Sequence, residues 1–173
     1  IYQREGYPVF RYCHGSLTRS NELLTSENEN LQKIIADLDV DLLISGHTHT
    51  QEVIKFKGKK LIHPGSVGIP WYHEGKTQYM ILHGSDQGWE EEFFQLIYDV
   101  KAVEEEFKTS GIMDKAFCWC KLNIHALATG NDCTTPCLQL AMKLCRESEG
   151  TVVWPDIPEK YWQQALEEFG ISD

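Results

Sequence analysis

The sequence predicts a mixed α/β fold followed by a helical appendage, and three observations support this. In the first half, short apolar runs rich in β-branched and aromatic residues occur on either side of a segment with helical periodicity. Glycine-rich polar motifs follow directly after those apolar runs. From about Asp99 the periodicity is helical throughout. We therefore assign residues 1–98 to the mixed domain and residues 99–173 to the appendage.

The first elements are a strand, a helix and a second strand. Residues 7–13 are short, aromatic and β-branched, and they run into His14. Apolar residues recur at helical spacing over 31–38, and the compact apolar run over 40–44 predicts a buried strand. That strand ends at the motif Ser-Gly-His-Thr-His, which includes His47.

A hairpin and a loop follow. Residues 52–56 and 60–62 flank a Lys-Gly-Lys turn, which is typical of a β-hairpin. The next residues, 63–68, are rich in glycine and predict a loop. Two further strands are predicted over 78–82 and 92–97.

The appendage contains four predicted helices. The first follows Asp99, and the second covers 116–128. Pro136 and Pro158 suit the first turns of the third and fourth, and Gly170 stands just past the end of the last.

Composition restricts the classes of partner. The formal net charge is −10, and an acidic surface repels the phosphate backbone, so we do not expect long nucleic acid as a partner. A small phosphorylated substrate remains compatible, because bound cations reverse the local potential. No run of the sequence is long and apolar enough to span a bilayer, and no secretory signal opens it. We therefore expect a cytoplasmic location and no membrane association.

Cysteines are concentrated in the appendage, which holds five of the six. The pairs Cys118/Cys120 and Cys133/Cys137 could form a zinc site, but their spacings are not those of a common zinc module. The simpler interpretation is a set of reduced, partly buried thiols.

Three histidines stand out among the seven. His47 and His49 are two residues apart after a glycine, so both can face one site, and His14 follows a neighbouring strand. Neutral imidazole is a common ligand of zinc, iron, nickel and manganese. For the remaining histidines we favour hydrogen-bonded core or surface roles: His63, His73, His83 and His125.

In their order, these motifs resemble the second half of calcineurin-like metallophosphoesterases. The matching parts are His14-Gly15-Ser16, the run VDLLISGHTHTQ, the hairpin, and PGSVGIP, and together they cover about Tyr7 to Tyr98. The pattern is most similar to the small bacterial and archaeal branch, which includes cyclic-nucleotide-type phosphodiesterases and diadenosine-polyphosphate hydrolases.

The resemblance implies a fold, a reaction and a site. The fold is an αββα sandwich of two sheets with helices outside. The reaction is hydrolysis of a phosphodiester or nucleotide polyphosphate by a water that two divalent metal ions activate, manganese first and iron, nickel or zinc as alternatives. His14 and His47 would bind the second metal and His49 the first. Gly15, Ser16, Gly65 and Ser66 would lie against the substrate, and no catalytic acid can be assigned.

The family's other half is not in this sequence. Its Asp-x-His, Gly-Asp and Gly-Asn motifs do not precede His14, and Gly130-Asn131-Asp132 stands in the wrong order and is better explained as helix capping. Relatives typically have asparagine where His63 stands, and some have arginine where Trp71 stands, which leaves the substrate open. We expect a missing N-terminal segment or a complementary chain to supply the carboxylates, and we leave a homo-oligomer open. The alternative is a non-catalytic half-fold that acts as an interaction module.

Two features of the appendage have competing interpretations. Trp119, Trp154, Trp162 and Tyr161 could form a base-stacking surface, but aromatic residues at helical spacing are more often core, and we favour the core. The acidic run 104–106 is most simply a solvated helix face.

Overall fold

A computed structural model describes residues 1–69, 71 and 76–171. Contacts divide these residues into two units, the first within 1–69 and 76–96 and the second formed mainly by 97–171. Within the described ranges, no helix combines the length and apolar character needed to cross a membrane.

The first unit contains two sheets. Its elements are β1 Arg11–Cys13, α1 Leu31–Ala36, β2 Leu42–Ser45, β3 Gln51–Phe56, β4 Lys59–Pro64, β5 Lys76–Ser85 and β6 Gly88–Ile97. Four strands form one sheet in the order β1-β2-β4-β3, and β5 pairs with β6 in the second. This arrangement confirms the predicted mixed α/β class with two sheets and helices.

The pairing of β1 with β2 positions the site. The two strands are parallel, and Cys13 lies opposite Ser45. Parallel strands end at the same edge of a sheet, so the residues that follow β1 and β2 emerge side by side.

Alternation along the strands separates two small cores. Leu43 and Leu61 pack with Leu31 and Ile35 of α1. Their neighbours Leu42 and Ile62 pack instead with side chains from β5 and β6. Successive side chains of a strand point to opposite faces, so α1 covers one face of the sheet and the β5–β6 pair covers the other.

Two boundaries differ from the prediction. The first strand is only three residues long, because Phe10 forms an isolated antiparallel bridge with Tyr2 and does not continue β1. His63 and Pro64 belong to β4 and not to the predicted loop, since the β3–β4 ladder runs to the pair Gln51 and Pro64. The apolar pattern ends at Ile62, which is why the sequence did not predict these two residues as strand.

The second unit is helical. Its helices are α2 Val100–Thr109, α3 Phe117–Thr129, α4 Thr134–Glu149 and α5 Glu159–Glu168. One cluster of buried side chains from α3, α4 and α5 forms its core. As predicted, Pro136 lies in the first turn of α4, and Pro158 is the N-cap of α5. Asp132 accepts a 2.8 Å bond from the amide of Thr134, which confirms the capping interpretation of that segment.

The cysteines of this unit are buried. All six cysteines of the chain are free thiols, and the five in the helical unit lie in its interior. Burial raises the pKa of the Cys137 thiol to about 11, and it also raises the pKa of Cys120 and Cys133. These thiols act as small apolar core residues.

The four tryptophan and tyrosine residues of the appendage divide into two groups. Tyr161 is buried and donates a 2.6 Å hydrogen bond to Glu149, and Trp162 packs against the core. The expectation that all four are core is wrong for the other two, because Trp119 is 47% exposed and Trp154 is 61% exposed. On α3, the neighbours Cys118 and Leu122 occupy the inward positions, which leaves Trp119 outside.

Candidate metal centre

His14 and His47 lie together at the ends of β1 and β2. Their ring centroids are 4.8 Å apart, with an angle of 57° between the planes. His14 is exposed and His47 is half-buried, so solutes can reach the pair. The parallel register explains why the two rings lie close together. Cys13 and Ser45 are paired at the ends of β1 and β2, and the two histidines follow them in the chain.

Hydrogen bonds hold the two loops against each other. The Ser45 hydroxyl donates to the carbonyl of Gly15 at 2.6 Å, and the Gly46 amide donates to the carbonyl of Cys13 at 3.2 Å. The turn that follows His14 requires glycine, since a Cβ on Gly15 would lie 2.5 Å from the carbonyl oxygen of Ser20 in the same loop. The loop geometry therefore depends on Gly15.

Ser16 and Ser66, which the resemblance places against the substrate, both bond to their own loops. Ser16 is buried, and its hydroxyl oxygen accepts from the amide of Arg19 at 3.0 Å. The Ser66 hydroxyl accepts from the amide of Ile69, also at 3.0 Å. Gly65 has a φ of 91°, and a Cβ there would meet Gln78 Oε1 at 2.5 Å. Pro70 and His73 lie outside the described residues.

The backbone is strained at both histidines of the second motif. His47 has a φ of 68° and His49 a φ of 56°, which is the left-handed region that side chains with a Cβ disfavour. Each such residue costs about 1–2 kcal/mol. Strain of this kind concentrates at binding and catalytic sites, where the surrounding structure imposes it.

Thr48 lies between these histidines and is buried, with 2% exposure. Its hydroxyl oxygen has no hydrogen-bond partner among the described residues. An unpaired buried hydroxyl is costly, so native proteins rarely leave one without a functional reason or a further ligand. One buried hydroxyl of this loop is therefore left without a hydrogen-bond partner among the described residues.

His63 holds the end of β2 in place through its ring, which contacts two backbone carbonyl groups. It is fully buried, with Nδ1 at 2.8 Å from the carbonyl oxygen of Ser45 and Nε2 at 3.0 Å from that of Leu24. Both partners are carbonyl oxygens, so the tautomer of the ring decides which of them accepts a hydrogen bond from it. The expected role as a hydrogen-bonded core histidine is confirmed. Its contact with Ser45, directly before the Gly46–His49 loop, was not predicted from the sequence. The position of His63 at the end of a strand could have indicated that contact.

The other described histidines lie elsewhere in the chain. His83 Nε2 makes a 2.9 Å hydrogen bond with Glu92 on the exposed face of the β5–β6 pair. His125 lies on α3 in the helical unit. Neither is part of the His14–His47 pair.

The donor set fits part of a metal site. Two neutral imidazoles this close can bind one cation, and imidazole suits zinc, manganese and iron. His49 does not join them, because the described residues contain no group of three or more His, Cys, Asp or Glu side chains able to hold an ion. A two-metal site also needs a bridging carboxylate, which the described residues do not provide here.

Comparison with known proteins supports the same family. Residues 4–87 match the model of the calcineurin-like phosphoesterase superfamily domain. A hypothetical protein from Pyrococcus horikoshii is 18% identical, with a TM-score of 0.55 over 70% of this chain and 46% of that one. A metallophosphoesterase from Sphaerobacter thermophilus is also 18% identical, with a TM-score of 0.54 over 73% of this chain and 59% of that one.

These two likenesses establish the fold. The chain spans 46% and 59% of the lengths of the two structures, or roughly half. The wild-type Vps29 from Entamoeba histolytica complexed with Zn²⁺ is 23% identical, over 51% of this chain and 53% of that one. Its TM-score of 0.34 is too low to indicate a shared fold. The motif order and the sheet topology agree with the superfamily match, so residues 4–87 of this chain are similar to the calcineurin-like phosphoesterase superfamily domain.

Proposed function

We propose that this domain supplies the histidine ligands of a metal-dependent phosphoesterase that hydrolyses a phosphodiester or a nucleotide polyphosphate. The observation that carries the proposal is the pair of rings, His14 and His47, held 4.8 Å apart at the ends of two parallel strands. The strained backbone of His47 and His49 supports it, because left-handed non-glycine residues are frequent at binding and catalytic sites.

Each residue has a stated role in this proposal. His14 and His47 hold one divalent cation through neutral ring nitrogens, and His49 serves a second. Such cations supply charge stabilisation to the phosphoryl group and acidify a bound water. His63 positions the end of β2, and Gly15 allows the tight turn of the loop that carries His14. Gly65 and Ser66 form the substrate side, while Ser16 acts through its backbone because its hydroxyl is already bonded.

The carboxylate ligands come from outside the described residues in this proposal. A segment that precedes the domain in a longer protein, or a complementary chain, adds them beside β1. We place the activity in the small bacterial and archaeal branch of the family, with manganese as the first metal to test.

The test is hydrolysis of bis(p-nitrophenyl) phosphate by the full-length gene product with Mn²⁺. Replacement of His14 or His47 by alanine is expected to lower kcat/KM by about 100-fold or more, because each removes a metal ligand. His83→Ala is the matched control, since that side chain lies away from the pair and is exposed. Full activity in His47→Ala would overturn the assignment.

A second candidate is a non-catalytic interaction module. The short strand β1 lies at the edge of the four-stranded sheet, and its Tyr12 is 60% exposed. An edge strand can pair with a strand from another protein. Partner capture that depends on Tyr12, together with no hydrolysis by the full-length product under any divalent metal, would favour this candidate over the first.

A further inference from the structure

The helical unit contains an aromatic pocket that the phosphoesterase proposal does not use. Its volume is about 340 Å³, which suits a small molecule or a side chain. It lies wholly within this unit. Ten residues line it: Ala116, Cys118, Trp119, Leu122, Thr134, Leu138, Trp154, Pro155, Glu159 and Trp162.

Three tryptophans supply most of its aromatic surface. Trp119 comes from α3, Trp162 from α5, and Trp154 from the segment that precedes α5. Two of them remain largely exposed although the unit has a complete core without them. Exposed apolar side chains grouped around a concavity indicate a binding site more often than a packing fault. Tryptophan side chains from three separate segments therefore line one space.

The pocket carries a single negative charge among its described lining residues. Glu159 is the one ionisable acid, and no lysine or arginine lines the cavity. The Cys118 thiol donates a 2.9 Å hydrogen bond to Glu159 Oε1. Burial and the nearby carboxylate raise the pKa of Cys118, so this thiol stays neutral. A cavity with aromatic walls and one carboxylate is complementary to an organic cation.

The N-termini of three helices oppose the binding of a cation at this pocket. The helices α3, α4 and α5 all begin at residues close to this pocket, and helix N-termini favour anions. Two of these N-termini already have a carboxylate, because Asp132 bonds the first amide of α4 and Glu159 lies in the first turn of α5. An added anion would be repelled by Glu159, so phosphate and nucleotides are disfavoured.

We propose that this pocket binds the trimethylammonium group of a small quaternary ammonium compound. Methyl groups of such a cation contact the faces of Trp119, Trp154 and Trp162, which attract positive charge through their quadrupoles. Glu159 at the same cavity balances the charge. The proposal is independent of the phosphoesterase activity, since none of its residues belongs to the first unit.

The test is a choline titration of the full chain, followed by the indole N–H signals in ¹H–¹⁵N NMR. The chain has five tryptophans, and Trp89 is an internal control because its indole donates to the carbonyl of Pro8 in the first unit. We expect the signals of Trp119, Trp154 and Trp162 to shift together, with a dissociation constant on the order of 1 mM. Trp89 is expected to stay in place.

Two substitutions and a neutral ligand separate cation recognition from simple hydrophobic binding. Trp154→Ala and Glu159→Gln are each expected to weaken choline binding about tenfold, whereas Val153→Ala, an exposed neighbour outside the pocket, leaves it unchanged. The neutral isostere 3,3-dimethyl-1-butanol is expected to bind at least tenfold more weakly than choline. Equal affinity for the two ligands overturns the proposal, as does the absence of shifts at about 50 mM choline.

A last series identifies the source of the ligand and excludes the competing chemistry. Stronger binding of choline than of trimethyl-lysine peptides or phosphatidylcholine vesicles supports a small-molecule ligand. Stronger binding of either of the others overturns that choice of source. Adenosine or inorganic phosphate that shifts the three indoles at lower concentration than choline does overturns the assignment to a cation.

Discussion

The two units of this chain differ in where they hold conformational strain. In the first unit, a four-stranded sheet separates two small cores, and two histidines at strand ends adopt left-handed backbone conformations. In the second, one core unites three helices, and none of its described non-glycine residues has a positive φ. Of the three left-handed non-glycine residues that the structure describes, His47 and His49 lie at the proposed metal site and Lys57 lies in the β3–β4 turn. The helical unit is instead a regular scaffold with an aromatic pocket.

The largest expected effect concerns the single core of the helical unit. Leu122 is almost fully buried there, and Leu122→Ala is expected to lower the free energy of unfolding by about 3 kcal/mol. The control is Leu96→Ala, because Leu96 is exposed and its loss should cost less than about 0.5 kcal/mol. Urea unfolding followed by the helical circular dichroism signal measures both. Equal losses would show that the helical cluster is not the core of its unit.

The next effect tests the tight packing within the loop that follows His14. Gly15→Ala places a Cβ against the backbone of Ser20, and we expect a loss of about 2 kcal/mol with displacement of the His14 loop. Gly68→Ala is the matched control in the same unit, since a Cβ there meets nothing within 4 Å. Thermal unfolding and the His14 ring signals in NMR report the two consequences. Unchanged stability in Gly15→Ala would contradict the described loop packing.

A smaller effect of opposite sign measures the strain itself. His47→Gly relieves the left-handed conformation, so the protein is expected to gain up to about 1 kcal/mol while losing a proposed metal ligand. Lys57→Gly is the control, because Lys57 has a φ of 50° in the β3–β4 turn, away from the site. A gain in the Lys57 variant with a clear loss in the His47 variant would mean that the His47 side chain stabilises its loop.

The last effect is a pH dependence in the helical unit. The Cys137 thiol has a pKa of about 11 when buried, against 9.0 when unperturbed, so unfolding releases its proton between these values. The free energy of unfolding is therefore expected to fall as pH rises from about 9 to 11, by at most about 1.4 kcal/mol per pH unit for this group. Cys137→Ala should reduce this slope without abolishing it, because burial also raises the pKa values of Cys118, Cys120 and Cys133. Leu138→Ala should shift stability equally at every pH. A slope that is unchanged in Cys137→Ala would contradict the contribution of this thiol.

The sequence predicted the elements well where periodicity or turn chemistry was strong. The β3–β4 hairpin and the helices that begin near Pro136 and Pro158 are present as expected. The first strand was predicted too long, because the aromatic and β-branched residues at 7–10 have strand propensity, whereas Phe10 forms an isolated bridge with Tyr2 and does not extend β1. Propensity alone does not distinguish a ladder from an isolated bridge.

The residue types of the site could be predicted from the sequence. The backbone conformations and contacts that hold those residues in place were harder to predict. Motif order placed His14 and His47 at neighbouring strand ends, and the structure brings their rings together. The left-handed conformations, the buried Thr48 and the two carbonyl partners of His63 depend on tertiary packing, which one sequence does not encode locally. The exposure of Trp119 and Trp154 was missed for the same reason, because periodicity gives a face and not its environment.

The most direct test of the central claim is a titration of the chain with Mn²⁺, followed by paramagnetic broadening of the histidine ring signals. If His14 and His47 form half of a metal site, their signals should broaden first, at metal concentrations that leave His125 of the helical unit sharp. His47→Ala should then abolish the selective broadening at His14. Broadening that is uniform over the histidines, or that begins at His125, would contradict the assignment of this domain as the histidine half of a phosphoesterase metal centre.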